Sequence, residues 1–235
     1  MVLLGTIVNG IAIILGAWLG VKLKKFSSEM KDTVMKAIGL AVIVLGFNMA
    51  LQGEQFLFVI FSLALGGVLG ERWNIEGKLN EVGQWLEKKM KKKTDGQLAE
   101  GFVAATLLFV VGAMAIIGAI DSGLRQDHTV LFTKSVLDGF SSIVFAATLG
   151  IGVMFSAFPV LIYQGAIALS ATLIVRWIPQ EHIDLFISEV TAVGGIMIIA
   201  IGLNIIGIPK IRVANLLPAI LITALFVVGK VMFFN

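Results

Sequence analysis

The chain contains no cysteine, one tyrosine, two histidines and four prolines among 235 residues. The missing cysteine removes disulfides, thiolate nucleophiles and cysteine-based zinc sites. His128 and His182 lie in polar connections, and no His-Glu-x-x-His pair is present. A Gly-x-x-x-x-Gly-Lys-Ser/Thr loop is also missing, which argues against a P-loop ATPase. With no evident nucleophile–base pair, the expectation is a protein that is not an enzyme and needs no cofactor. Charge is scarce as well: Asp, Glu, Lys and Arg make up 14% of the chain, against about 25% in a soluble domain. So few polar groups cannot cover a water-facing surface.

What fills the chain instead is apolar: 58% of residues are hydrophobic and mean hydropathy is +0.98. A bilayer crossing takes roughly 20 mostly apolar residues in a helix. Eight stretches approach that length, at residues 2–23, 35–52, 55–71, 101–120, 136–155, 157–176, 187–206 and 213–233. Merging the fifth and sixth, which only Phe155-Ser156-Ala157 separates, leaves seven. The expected fold is an all-α polytopic transmembrane bundle, one integral membrane domain over 1–235. The first apolar stretch has no basic residues ahead of it and no small-residue cleavage site, so it reads as a retained span.

Net charge is +3, but the cations sit beside apolar segments rather than in a nucleic-acid patch. With eight spans, the loops holding Lys22, Lys24, Lys25 and Lys31, then Arg72, Lys78 and Lys88 to Lys93, then Lys210 and Arg212, share one side. The positive-inside bias puts that side in the cytoplasm and both termini outside. Residues 74–93 carry Ile75, Leu79, Val82, Leu86 and Met90 at three- and four-residue steps. That spacing predicts an amphipathic helix on the inner surface. Lys88, Lys89, Lys91, Lys92 and Lys93 then meet anionic lipid.

Two spans echo two others. Gly39, Gly46 and Asn48 have the spacing of Gly195, Gly202 and Asn204, and Asn9-Gly10 matches Gln164-Gly165 at nearly the same offset. Spans one and two thus correspond to six and seven. A displacement of five spans reverses direction, which predicts an inverted repeat with a site at its interface.

Polar groups in hydrocarbon are costly, so each needs a reason. Asn9, Asn48, Gln164 and Asn204 can line a path, or simply bond neighbouring helices. Asp121, Asp138 and Glu189 lie toward the outer ends of their spans and together suggest an acidic mouth for cations. Asp138 leads this set because Ser135, Ser141 and Ser142 cluster with it, although Lys134 stands four residues earlier and can pair with it. This reading puts Asp138 in the first turn of span five. Gly16/Gly20 and Gly66/Gly70 predict close helix packing, and such small-residue faces also suit a homo-oligomer. Gly194-Gly195 and Gly150-x-Gly152 are candidate points of unwinding, and Pro218 is a candidate kink inside span eight.

Several motifs resemble one family across nearly the whole chain. They include Gly112-Ala-Met114 through Gly118-Ala-Ile-Asp121-Ser-Gly123, Tyr163-Gln164-Gly165, Thr191-Ala-Val-Gly194-Gly195 and Val213-Ala-Asn215-Leu-Leu-Pro218. The most specific is Lys134-Ser135-Val-Leu-Asp138-Gly139. The chain is identified as a member of the domain-of-unknown-function 554 family of bacterial inner-membrane proteins. That resemblance implies a membrane protein sometimes labelled a sodium channel or pump, and it brings no catalytic residues. The expected function is a gradient-driven transporter or channel for a small cation, with sodium first. The rivals are transport of a small organic solute, or a membrane scaffold that binds partners through glycine-rich faces or the basic helix. A membrane enzyme acting on lipid through Asp138, Lys134 and the serines ranks last.

Overall fold

A computed structural model describes residues 1–22, 28–89, 97–110, 113–177, 180–208 and 211–233. Among them every regular element is helical. In chain order these are α1 (Leu4–Lys22), α2 (Ser28–Ala50), α3 (Phe56–Trp73), α4 (Ile75–Lys89), α5 (Gln97–Val110) and α6 (Ala113–Leu124). Then come α7 (Thr129–Leu149), the single turn α8 (Gly152–Phe155), α9 (Ala157–Trp177), α10 (Gln180–Ile205), a 3-10 turn Val213–Leu216 and α11 (Pro218–Phe233). Among the described residues, seven helical stretches have the length and hydropathy to cross a bilayer. An eighth comes from α5 and α6 taken together, bent by 60°.

The burial pattern is that of a membrane protein. On α7, Leu131, Lys134, Ser135, Asp138, Ser142, Phe145 and Ala146 form one buried face at three- and four-residue steps. The opposite face carries Val136, 73% exposed, and Phe140, 68% exposed. Polar groups turn inward and large apolar ones outward, as lipid requires and water forbids.

The chain divides into two compact units. The first comprises Met1–Val34, Gly77–Val110 and Met114–Thr172. Its centre is α1 laid against α7. A side chain at Gly16 would overlap the Gly139 carbonyl, and one at Gly20 would overlap the Ile143 carbonyl. The two backbones touch, which only glycine permits. Gly5 meets Leu131 while Gly20 meets Ile143, so α1 and α7 run parallel. Gly10 packs on Leu161 and Gly165 faces Leu3, so α9 runs antiparallel to α1. Gly150, at φ +84°, ends α7, and Gly152 starts α8 against the Leu98 carbonyl.

The second unit contains Met35–Glu76 and Leu173–Asn235. Here α2 crosses α10 through four glycines. A Cβ on Gly39 would stand 3.0 Å from the Gly202 oxygen, and one on Gly202 would stand 2.7 Å from the Gly39 oxygen. Gly46 and Gly195 meet in the same mutual way, at 2.7 and 2.6 Å. Similarly, Gly66 packs on Ala219 and Gly70 on Asn215, which sets α3 antiparallel to α11. Asn74, in the left-handed region at φ 49°, ends α3 by donating its backbone N–H to the carbonyls of Glu71 and Gly70.

These directions count the crossings. Two parallel spans must have an odd number of crossings between them. The chain between α1 and α7 contains α2, α3 and the bent pair α5–α6, and with one crossing each by α2 and α3 a crossing by the pair makes the count odd. The Ser122 hydroxyl, at the end of that pair, donates to the Val2 carbonyl at 2.8 Å, which puts both points on one side. The described helices give seven spans, or eight with α5 and α6 taken as one bent span.

Several expectations shift in detail. Span five begins at Thr129 and ends at Leu149, earlier than 136–155. Lys134, Ser135 and Asp138 interrupt the apolar run and mimic a boundary, yet they lie well inside the helix. Pro218 opens α11 after a 3-10 turn instead of kinking its interior, because a first helical residue needs no N–H partner. Gly194 and Gly195 stay inside continuous α10, where Gly195 serves close packing on α2 and not unwinding. The amphipathic segment forms α4 as far as Lys89, while Met90, Lys91, Lys92 and Lys93 lie outside the described residues.

Candidate functional site

The polar face of α7 makes the site. Residues four apart on a helix share a face, so the Lys134 ammonium reaches both oxygens of Asp138, at 2.9 Å to each. Lys134 is 7% and Asp138 6% exposed. A bare carboxylate at such depth would cost several kcal/mol in lost solvation, and the ammonium offsets much of that cost.

Two neighbours complete the cluster. Asn9 of α1 donates its amide nitrogen to Asp138 Oδ2 at 3.0 Å and to Gln164 Oε1 of α9 at 3.4 Å. Both amides are fully buried. The carboxylate fixes the Asn9 amide, since only its NH2 can face an anion. Its Oδ1 is then left without a partner. Unpartnered too are the hydroxyls of Thr6 and Ser142 and the Nε2 of Gln164. Thr6 stands one turn before Asn9, and Ser142 one turn after Asp138. Buried polar atoms normally find partners, so unmet oxygens on Asn9 and on the turns flanking the pair, at Thr6 and Ser142, call for a partner. Nothing comparable to a tight metal centre accompanies it: no group of three or more His, Cys, Asp or Glu side chains gathers among the described residues.

The remaining sequence candidates fall elsewhere. The Ser135 hydroxyl is taken, donating to the Leu131 carbonyl at 2.6 Å. Asp121 faces Arg125 at 3.7 Å near the end of α6. In the second unit, fully buried Glu189 accepts the backbone N–H groups of Glu54 and Gln55 on Oε1, at 2.8 and 2.7 Å. It thereby fixes the connection just before α3, while its Oε2 has no partner. Asn204 exchanges two 2.8 Å bonds with the backbone of Ile211 and ties down the connection after α10. Asn48 is exposed on α2. On α4, Lys89 lies over the Trp85 ring at 4.9 Å, and Lys88 belongs to the same last turn.

Some polar groups escaped the sequence reading. Thr6 was detectable as the i−3 neighbour of Asn9 on the same face. Glu71 binds Arg212 and Asn215, Asn215 accepts the Glu76 N–H at 2.7 Å, and Glu76 accepts the Ala214 N–H at 3.0 Å. Those bonds span about 140 positions of sequence, and no local pattern announces them. Ser122 also lies 2.7 Å from His128 Nδ1. Its one proton goes to Val2, so the imidazole must be the donor and the pair is not an activated nucleophile. Asp127, fully exposed just before α7, has its carboxyl held below the usual range, first by the Thr129 backbone N–H it accepts at 2.9 Å.

Over 223 residues the chain is 39% identical to "Uncharacterized membrane protein YdfK" of Bacillus subtilis, covering 93% of each. It is 29% identical to "Uncharacterized protein YqgA" of Escherichia coli over 93% of this chain and 94% of that one. A partial match, 31% identical over 112 residues, joins 45% of this chain to 59% of the "Putative manganese efflux pump MntP" of Corynebacterium glutamicum. No solved structure matches the chain. The family model "Protein of unknown function (DUF554)" matches residues 4–228, and the chain belongs to that family of multi-pass membrane proteins.

Proposed function

We propose that the protein is a gradient-driven transporter or channel for a small cation, and that Asp138 with Asn9 and Gln164 forms its binding point. The observation that carries this reading is a carboxylate buried inside a span among oxygens that lack partners. Ionisable groups in that position are expensive, and ion pathways are their usual reason. The partial likeness to a protein named as a manganese efflux pump supports a cation as cargo. Charge decides within the class. One carboxylate balances one positive charge, so a monovalent ion such as sodium that takes the place of the Lys134 ammonium leaves Asp138 neutralised. A divalent ion leaves a buried excess charge.

The glycine contacts support an inverted repeat. With an offset of 156, Gly39 and Gly46 map onto Gly195 and Gly202. The Gly39–Gly202 contact then maps onto Gly195–Gly46, and Gly46 on Ile199 maps onto Gly202 on Ile43. Reciprocity of this kind is what a two-fold axis produces. Within the first unit, Asn9 is likewise bonded to Gln164, its own counterpart in the repeat. The positive-inside bias orients both termini outward. Exposed Trp85 and the lysines of α4 suit an anionic inner surface.

The test is uptake by liposomes carrying the purified protein, with sodium, lithium, potassium, protons and manganese offered one at a time. Saturable, gradient-driven uptake of a monovalent cation supports the reading. Uptake of none, with folded and inserted protein, ends it.

A further inference from the structure

We propose that Lys134 is a tethered counter-cation, which occupies Asp138 while the site is empty and must leave it when the transported cation binds. The inference rests on the cation reading above and names how that site is controlled. Its ground is geometric. Lys134 Nζ bridges both Asp138 oxygens at 2.9 Å, which are the positions an incoming cation needs. Asp138 Oδ2 also accepts from Asn9, so little of the carboxylate remains open. The unpartnered oxygens lie on the neighbouring turns: Asn9 Oδ1 and Thr6 Oγ1 on α1, Ser142 Oγ on α7. A cation held by Asp138 and such oxygens displaces a donor that none of them needs. The four methylenes of Lys134, one turn N-terminal to Asp138, let the ammonium withdraw toward the start of α7. A lysine that merely neutralised Asp138 would leave no reason for the unpartnered oxygen of Asn9, the amide already bonded to that carboxylate.

Two consequences follow. The carboxylate carries a counter-charge in both states, so the empty site never exposes a bare anion to the low-dielectric interior. The ammonium and the cargo also compete, so the affinity of the site for cations is set low by Lys134.

The experiment measures the apparent dissociation constant for sodium from the rise in unfolding temperature of the full-length protein, with N-methylglucamine as the inert cation. Lys134→Gln removes the competitor, and its dissociation constant should fall by roughly tenfold or more. Lys134→Arg keeps the charge and should stay near the wild-type value. Lys134→Gln binding sodium no better than wild type overturns the proposal while leaving the cation site standing. No sodium-dependent stabilisation in any of the three proteins removes the parent reading with it. A second measurement uses wild-type protein alone and so does not depend on the variant folding. Sodium should raise acylation of Lys134 by a small amine reagent several-fold, read by mass spectrometry. Acylation that sodium leaves unchanged or lowers contradicts the displacement.

Discussion

Asp138 and Lys134 are individually costly and jointly tolerable. Removing one partner strands the other in the interior, a loss of about 3–5 kcal/mol. Asp138→Asn should therefore destabilise the protein strongly. The double variant Asp138→Asn/Lys134→Gln should regain more than half of that loss in a denaturation cycle. Additive losses would show that the pair is not energetically coupled. The sequence made this pair visible through the i, i+4 spacing, and Asn9 and Gln164 stood out as amides in apolar runs. It could not show that these two amides touch, because their contact joins residues 155 positions apart. Asn204 shows the converse. It has the same side-chain class at a matched repeat position, yet both of its polar ends are spent on the backbone of Ile211.

The helices find one another through glycine. Where the Gly16 Cα faces the Gly139 carbonyl, any larger side chain forces α1 from α7 and pulls Asn9 away from Asp138. Gly16→Leu should lower stability by at least about 1–3 kcal/mol. Gly229→Leu in α11, where nothing lies within 4 Å, should cost far less. Equal losses would contradict the close-packing account. The small-xxx-small spacing of Gly16/Gly20 and Gly66/Gly70 announced these contacts in the sequence. The start of α7 was hidden for a physical reason. Hydropathy marks where a helix faces lipid continuously, and the polar groups of Lys134, Ser135 and Asp138 face inward, so the apolar run looked shorter than the helix.

For the whole molecule, apolar length leaves seven or eight crossings, and the side on which the α6–α7 connection lies decides between them. The native chain has no cysteine, so single cysteines report sidedness cleanly. Gln52→Cys and Gln126→Cys should react with an impermeant thiol reagent from the same side, and Lys78→Cys from the other. Gln126→Cys reacting together with Lys78→Cys would mean that α5 and α6 turn back without crossing. A fixed topology is what lets one buried carboxylate serve a path between two compartments. The decisive measurement is sodium flux into liposomes, comparing wild type with Asp138→Asn at equal amounts of inserted, folded protein. The account predicts saturable uptake that is lost in the variant. Uptake that survives Asp138→Asn undiminished would place the path elsewhere and contradict it.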